Sequence, residues 1–307
     1  MSEEKKAIYG VIGYPVKHSL SPEMQNAAFQ ELGIVAEYGK FEVRPEELEK
    51  FLLKDVFSLG ISGFNITIPH KVQAKQILQE AFPLENNYSL AQDAFYYVKL
   101  SGAVNTVKRD GNKLLYWNTD ASGFLRILEE KLKFSKTGNI EVLLFGCGGA
   151  GRAIIAALSW INSFAKQIYV FESNAQIVKA SSEFFFSQSE HGGILKEKLK
   201  FIAKSDIAQT IEKCQLLVNA TPIGMKDEEP SAIDKSLFHR DLSVFDIVYN
   251  RNQETCLIQD AKSSGLPVAD GLDMLLYQGA DGFELWTGKK APLEKMREAL
   301  NKGAGRK

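Results

Sequence analysis

The sequence predicts an α/β protein with an N-terminal α/β domain, a doubly wound domain and C-terminal helices that return to the first domain. Three observations lead to this prediction. Short strand-like runs with polar ends fill the first part of the chain, and a continuous apolar run at 141–145 precedes a glycine-rich turn. Strand and helix patterns then alternate. We place the first domain at 1–120, completed by 266–307, and the second at 121–265.

The composition is that of an ordinary globular protein. The 307 residues are enough for two domains of about 100–200 residues. Apolar residues make up 45% and charged residues 24%, with a net charge of −1, so no basic surface for nucleic acid or anionic lipid is expected. The charged N-terminus lacks the apolar core of a signal peptide, and no run approaches the roughly 20 apolar residues of a membrane span. We predict a cytoplasmic monomer or homodimer with no nucleic-acid or membrane partner.

The three cysteines, Cys147, Cys214 and Cys256, are far apart in the sequence. Their odd number and wide spacing fit neither a disulfide framework nor a zinc site. No metal site is predicted.

Apolar periodicity and turn residues locate the elements of the first part. Strands are predicted at 9–13, 41–43, 65–69, 102–107 and 113–117, the last two joined by a turn at 110–112. Helices are predicted after Ser21, which suits an N-cap followed by Pro22, and from Pro45, from Lys71, over 91–98 and over 123–132. The stretch 80–100 has the weakest pattern of this part.

The second part repeats a strand–helix unit. Strands are predicted at 141–145, 167–171, 200–203, 216–220 and 244–248, with helices over 152–160, from Ala175, from Asp206 and within 273–300. Strands joined by helices form parallel sheets with helices on both faces.

Lys71 follows the predicted strand 65–69, where loops carry chemistry on a rigid scaffold. Asp120, in the cluster 118–120, supplies a carboxylate. An ammonium and a carboxylate beside a nucleotide loop indicate hydride transfer, with Lys71 as acid/base and Asp120 as its partner. Taken singly, Lys71 can be a surface charge and Asp120 a helix cap. His70 is a rival proton donor, although strand alternation directs it away from Lys71.

The nucleotide loop is the G-x-G-x-x-G pattern at 146–151, which follows a buried strand and opens a helix. Glycines allow positive φ and let the backbone approach a pyrophosphate, which the helix N-terminus then binds. We expect dinucleotide binding by Gly146, Gly148, Gly149, Ala150 and Gly151.

Glu172 follows the next predicted strand, about 20 residues after the glycine loop, where an acidic side chain accepts hydrogen bonds from the ribose hydroxyls. It would repel a 2′-phosphate by roughly 4 kcal/mol at 4 Å and an effective dielectric near 20. The adjoining Ser173 and Asn174 supply no guanidinium. Charge therefore favours NAD over NADP, unless Glu172 points into solvent.

Further polar side chains lie beside predicted element ends and suit a small polyhydroxylated ligand. These are Ser19, Ser21, Thr67, Asn105 and Gln278.

With these motifs in order, the chain resembles the shikimate dehydrogenase family over nearly its full length. The matching segments are 19–22, 65–71, 102–106, 118–120, the glycine loop, 219–225, 246–249 and 270–275. The resemblance implies reversible reduction of 3-dehydroshikimate to shikimate in aromatic amino-acid biosynthesis, with Lys71 and Asp120 as the catalytic pair.

The resemblance also implies the remaining roles. Substrate contacts would come from Ser19, Ser21, Asn65, Thr67, Asn105, Tyr249 and Gln278. Dinucleotide contacts would come from the glycine loop with Glu172, Ser173, Asn174, Thr221, Ile247 and Gly271. The family's usual cofactor is NADP, but the arginines that select it are absent after the second strand of this domain. The segment between Lys71 and Asn105 is also longer than the family's.

Two other functions fit parts of the pattern. An NAD-dependent quinate or dual quinate/shikimate dehydrogenase would need only a pocket that admits one more hydroxyl. A non-catalytic sensor of metabolite and dinucleotide would need the pocket but neither Lys71 nor Asp120.

Overall fold

A computed structural model describes residues 6–83, 92–135, 138–159, 164–187, 192–226, 229–251 and 253–306. The chain divides into two compact units: Met1–Gly123 with Leu275–Lys307, and Phe124–Met274.

The first unit is built on a mixed five-stranded sheet in the order β2-β1-β3-β4-β5. Its strands are β1 (Ala7–Gly13), β2 (Ala36–Glu42), β3 (Ile61–Ile66), β4 (Thr106–Asp110) and β5 (Lys113–Trp117). β1 pairs in parallel with β2 and β3, whereas β3, β4 and β5 are antiparallel neighbours. The predicted hairpin is present, with Asp110 paired to Lys113 and Gly111 at φ +58° in the turn.

The described helical segments that belong wholly or partly to this unit are Ser21–Glu31, the composite segment 45–58, Lys71–Ala81, Gln92–Ser101, Thr119–Arg126 and Leu293–Gly303. The helix Gly271–Thr287 reaches it from the second unit. One face of the sheet packs on a core that includes Ile12, Leu52, Phe64 and Val107. The expected C-terminal helices are therefore present, and Leu275–Lys307 clusters with the N-terminal residues.

Several predicted strand boundaries in this unit are wrong. β3 ends at Ile66, not at Pro69, because a turn begins at Thr67, whose carbonyl accepts from the N–H of His70 at 3.1 Å. Ile68 is consequently 49% exposed and is not a buried strand residue. β2 begins at Ala36, well before the predicted start at 41, and β4 begins only at Thr106.

Ser21 is the first residue of its helix and not the N-cap. Leu20 holds the cap position without a side-chain bond, and the Ser21 hydroxyl lies 3.1 Å from that of Ser19. The tract 80–100, which has the weakest sequence pattern of this part, leads into the helix Gln92–Ser101, while 84–91 lie outside the described residues.

The second unit is a six-stranded parallel sheet in the order β11-β10-β9-β6-β7-β8. Its strands are β6 (Ile140–Phe145), β7 (Ala165–Phe171), β8 (Leu199–Phe201), β9 (Leu216–Asn219), β10 (Ser243–Asp246) and β11 (Val268–Ala269). The helices Gly149–Ser159, Ala175–Ser187, Gly192–Lys198, Ile207–Ile211 and Cys256–Ser263 connect them. A π-helical turn, Ile127–Lys131, precedes the sheet.

The strand order reverses at β6. β7 and β8 are added on one side of β6, and β9 to β11 are added on the other side. The switch between β6 and β9 is where doubly wound folds bind ligands, outside the carboxyl ends of the strands. Phe145 and Asn219 are paired at that end, so the glycine loop and the loop that begins at Ala220 leave the sheet side by side.

Candidate active site

Lys71 and Asp120 form a nearly buried ion pair in the first unit. Lys71 begins the helix Lys71–Ala81, and Asp120 lies in the first turn of Thr119–Arg126. Nζ of Lys71 lies 2.5 Å from Oδ2 of Asp120, and their side chains are only 14% and 6% exposed. A carboxylate is favoured near a helix N-terminus, and here it also pairs with an ammonium.

Asn105 connects this pair to Gln278. Its Nδ2 donates to Oδ1 of Asp120 at 2.9 Å and to Oε1 of Gln278 at 3.2 Å. Its Oδ1 accepts from the backbone N–H of Thr119 at 2.7 Å, so the Asn105 amide also caps the helix that carries Asp120. These side-chain bonds therefore link four of the predicted residues directly: Lys71, Asn105, Asp120 and Gln278.

Asn65 belongs to the same buried network through Thr106. Nδ2 of Asn65 donates to the Thr106 hydroxyl at 3.0 Å and to the Asn105 carbonyl at 3.2 Å. The hydroxyls of Thr106 and Thr119 lie 3.0 Å apart, so this contact connects Asn65 to the residue that precedes Asp120. Tyr38, buried at 2% exposure, donates its hydroxyl to Oδ1 of Asn65 at 2.7 Å.

Tyr38, Thr106 and Thr119 also belong to this network, although no sequence motif predicts them as site residues. Thr106 and Thr119 adjoin the predicted residues Asn105 and Asp120, and that adjacency is a signal that sequence alone provides. Tyr38 lies in β2 with no polar motif around it, and only the fold brings its hydroxyl to Asn65.

Ser19 and Ser21 form a second pair of hydroxyls in the same unit, 3.1 Å apart. Ser21 is buried and Ser19 partly exposed. Thr67 directly follows β3 and is partly exposed, with its backbone N–H bonded to the Ile12 carbonyl at 2.9 Å. Among the described residues, no hydrogen bond joins these three side chains to the Lys71 network, so their part in one pocket stays a prediction.

His70 is directed away from the ion pair. Its Nε2 lies 2.7 Å from the carbonyl of Val43 and must carry the proton, because a carbonyl only accepts. Burial lowers the pKa of this fully buried imidazole, which favours the neutral form. His70 is consequently a structural residue and not a rival proton donor.

The glycine loop of the second unit fits a dinucleotide. Gly146 has φ +90°, and a Cβ on Gly151 would lie 2.3 Å from the Gly146 carbonyl, so both positions require glycine. Gly148 is exposed, and a Cβ there would meet nothing within 4 Å. Open space at Gly148, with Gly149 and Ala150 starting the helix Gly149–Ser159, leaves room for a pyrophosphate at a helix N-terminus.

Glu172 lies against the glycine loop and does not point away from the protein. Its Oε2 accepts from the N–H of Cys147 at 3.0 Å, and its Oε1 accepts from the N–H of Asn174 at 2.9 Å. Asn174 in turn caps the helix Ala175–Ser187 by accepting from Gln176 N–H at 2.9 Å. Two hydrogen bonds thus hold the Glu172 carboxylate at the carboxyl end of β7, next to the first glycine of the loop. Ser173 lies between Glu172 and Asn174 in the sequence.

Thr221, Ile247, Tyr249 and Gly271 all lie in the second unit, after the ends of β9, β10 and β11. Both the hydroxyl and the N–H of Thr221 donate to Oδ1 of Asn219, at 2.6 and 3.1 Å. A Cβ on Gly271 would lie 2.2 Å from the Ile247 carbonyl, so this close approach requires glycine. These residues line the edge of the sheet at which the glycine loop also lies.

Neither a cluster of metal-ligand side chains nor a membrane-spanning helix is found in the part of the chain that the structure describes. Within these residues, no group of three or more His, Cys, Asp and Glu side chains can hold a metal ion. Over the same ranges, no helix combines the length and apolar character needed to cross a bilayer.

Comparison with known proteins gives matches along nearly the whole chain. Residues 11–107 match the shikimate dehydrogenase substrate binding domain, and residues 271–300 match the shikimate 5'-dehydrogenase C-terminal domain. The shikimate dehydrogenase (NADP(+)) of Methanopyrus kandleri is 39% identical over 301 residues, which cover 95% of this chain and 94% of the relative.

Two solved structures have the same fold. The shikimate 5-dehydrogenase of Thermus thermophilus, in complex with NADP(H) and shikimate, has a TM-score of 0.77 and 32% identity, covering 97% of this chain and 99% of that one. The quinate dehydrogenase of Corynebacterium glutamicum, in complex with NAD, has a TM-score of 0.77 and 28% identity, covering 97% and 100%.

Proposed function

Because the chain belongs to the shikimate dehydrogenase family, we propose that it catalyses the reversible, NAD(P)H-dependent reduction of 3-dehydroshikimate to shikimate, a step in aromatic amino-acid biosynthesis. The observation that carries the proposal is the contact of 2.5 Å between Lys71 and Asp120 within a network of buried amides and hydroxyls. Such a network suits a compact ligand rich in hydroxyl groups.

The dinucleotide, when bound, supplies or accepts the hydride. In the direction of reduction, the ammonium of Lys71 donates a proton to the ketone oxygen and stabilises the negative charge that develops there. Asp120 keeps Lys71 in place and accepts a hydrogen bond from a substrate hydroxyl. In the direction of oxidation, Lys71 takes that proton back. Acid/base assistance of this kind contributes about 10²–10⁴-fold to the rate.

The other predicted residues bind and orient the substrate in this proposal. The hydroxyls of Ser19 and Ser21 donate to the carboxylate, and their separation of 3.1 Å suits the two oxygens of one such group. Thr67, Asn65, Tyr249 and Gln278 contact the ring hydroxyls. All of these substrate contacts except that of Tyr249 come from the first unit, whereas the proposed dinucleotide contacts come from the second unit.

We further propose that the cofactor is NAD. Glu172 presents a negative charge beside the glycine loop, and its two backbone bonds oppose a rotation that would make room for a 2′-phosphate. The ribose hydroxyls of NAD can instead donate to the free lone pairs of this carboxylate. The quinate dehydrogenase of Corynebacterium glutamicum contains NAD, and for this reason an NAD-dependent quinate or dual quinate/shikimate dehydrogenase is the second candidate.

A cytoplasmic location belongs to the same proposal, since Cys147, Cys214 and Cys256 are all free thiols.

Initial rates with shikimate and with quinate, each with NAD and with NADP, test these proposals together. We expect the highest kcat/KM for shikimate with NAD. A higher kcat/KM for quinate would replace the first candidate with the second. Dinucleotide and shikimate binding without turnover of either acid would contradict an enzyme and point to a sensor.

A further inference from the structure

Asp246 is a fully buried carboxylate at the carboxyl end of β10. Its Oδ1 accepts from Nδ2 of Asn219 at 2.9 Å and from the N–H of Val248 at 3.0 Å. Its Oδ2 accepts from the hydroxyl of Thr255 at 2.6 Å. The three donors come from the end of β9, from the loop after β10 and from the N-cap of the helix Cys256–Ser263. One carboxylate therefore joins three segments at the edge of the sheet where the dinucleotide is expected.

The bond to Asn219 sets which way the Asn219 amide points. An ionised carboxylate only accepts, so Nδ2 of Asn219 faces Asp246 and the Ile223 carbonyl. Oδ1 is then free to accept both donors of Thr221. A flipped amide would set NH₂ against two donors. Asp246 thus holds Thr221 in place through Asn219.

We propose that Asp246 is a positioning residue of the dinucleotide site, whose ionised carboxylate holds the loops after β9 and β10 in the arrangement that binds the cofactor. This inference rests on the dinucleotide site of the proposed function, although not on the identity of the substrate. Dinucleotide binding, measured without turnover, therefore distinguishes its failure from a wrong assignment of the reaction.

The position makes the loops sensitive to pH. The pKa of Asp246 is raised to about 6, because burial outweighs the bonds from Thr255, Val248 and Asn219, which lower it; the charge of Asp270, at the end of β11, adds to the rise. Protonation at Oδ2 converts that oxygen from an acceptor into a donor, so the Thr255 hydroxyl can no longer donate to it. At pH 5 about one-tenth of the molecules keep the carboxylate, so dinucleotide affinity falls roughly tenfold.

Calorimetric titration of the full-length protein with NAD and with NADP between pH 5 and 8 tests the inference. We expect the wild type to bind the preferred dinucleotide roughly tenfold more weakly at pH 5 than at pH 8. Asp246→Asn should bind at both pH values at least as weakly as the wild type does at pH 5, because it never has the carboxylate. The control Asp241→Asn, exposed beyond the other end of β10, should follow the wild type.

Groups on the dinucleotide that titrate affect the wild type and Asp246→Asn equally. Subtracting the pH dependence of the Kd of the variant from that of the wild type therefore removes their contribution. Equal pH dependence in these two proteins, or equal affinity at pH 8, would overturn the proposal.

Thr255 provides a second, independent measurement. Thr255→Ala removes a donor that stabilises the ionised form, and the midpoint of the pH dependence should move upward by roughly 0.5–1 pH unit. Thr255→Ser keeps the hydroxyl and should leave the midpoint unchanged. A midpoint that is the same in the alanine and serine variants would show that Asp246 is not the titrating group.

Discussion

Tyr38 in β2 donates its hydroxyl to Asn65 in β3 at 2.7 Å, across the intervening strand β1. The bond fixes Oδ1 of Asn65 toward Tyr38 and leaves Nδ2 facing Thr106 and Asn105. A tyrosine outside the predicted motifs therefore determines the orientation of an amide beside the Lys71–Asp120 pair.

Tyr38→Phe should destabilise the protein by about 1 kcal/mol, because it leaves the buried Asn65 oxygen without this donor. It should also raise the KM for shikimate several-fold, since the amide is then free to flip. Tyr116→Phe is the matched control, as its hydroxyl donates to the Phe82 carbonyl at 3.1 Å. Urea unfolding and steady-state rates measure both effects. A raised KM in both variants would assign the effect to general loosening and not to Asn65.

Lys71→Ala should lower kcat by about 10²–10⁴-fold and change the KM for shikimate far less, since the ammonium acts mainly on the developing alkoxide. Steady-state kinetics in both directions provides the measurement. Lys75→Ala, one helical turn later, should keep wild-type rates. An unchanged kcat in Lys71→Ala would rule out the proposed acid/base role.

Glu172→Ala should increase the ratio of kcat/KM with NADP to that with NAD, because it removes a repulsion of roughly 4 kcal/mol from a 2′-phosphate at 4 Å. The measured gain should be smaller, since the bonds to Cys147 and Asn174 are lost as well. Glu183→Ala, on the exposed side of the next helix, is the control. If the ratio stays constant, Glu172 does not face the ribose.

Gly148→Ala and Gly151→Ala should both weaken dinucleotide binding, but only Gly151→Ala should also lower the stability of the protein. A Cβ on Gly151 meets the Gly146 carbonyl at 2.3 Å, so this variant should lose both stability and dinucleotide affinity. A Cβ on Gly148 meets no protein atom within 4 Å, so this variant should keep its Tm but bind dinucleotide more weakly. Thermal unfolding and calorimetry separate the two. Full dinucleotide affinity in Gly148→Ala would argue against a pyrophosphate at this turn.

Asp246→Asn should be more stable than the wild type at neutral pH. Burial raises the pKa of Asp246 from 3.8 to about 6, so the folded state binds the proton more tightly than the unfolded state. The stability that this proton contributes is complete below pH 3.8 and is lost as pH rises through 6. The cost of the ionised form is then at most about 3 kcal/mol.

Urea unfolding of this variant and the wild type at pH 4 and pH 7.5 measures that cost. The gain in the free energy of unfolding should be present at pH 7.5 and small at pH 4. A gain of equal size at both pH values would contradict the assignment.

Much of the fold follows from local sequence patterns. The continuous apolar run before the glycine turn is β6, and the alternating segments after it form the predicted parallel sheet. Apolar periodicity failed where tertiary contacts decide the boundary. Ile68 continues the period-two pattern of β3 but lies in a turn, because the Thr67 N–H bonds to β1 while its carbonyl closes the turn with His70.

The candidate site was predictable to the extent that its residues adjoin motifs. Asn105, Asp120 and Lys71 stand beside element ends in the sequence, and they meet in the structure. The roles of Tyr38 and Asp246 could not be predicted from the sequence, for different reasons. Tyr38 acts across the intervening strand β1, and the role of Asp246 depends on three hydrogen bonds from separate segments.

The hairpin of β4 and β5 has a consequence for changes in loop length. Its turn at Gly111 sets the pairing of Thr106 with Trp117, and the Asn105 N–H donates to the Trp117 carbonyl at 3.1 Å. Asp120 follows three residues after that carbonyl. Deleting or inserting a single residue at this remote tip would slide one strand past the other and turn the Asn105 amide toward the opposite face of the sheet. Engineers who graft peptides into this tip should therefore expect to disturb chemistry at the far end of the hairpin.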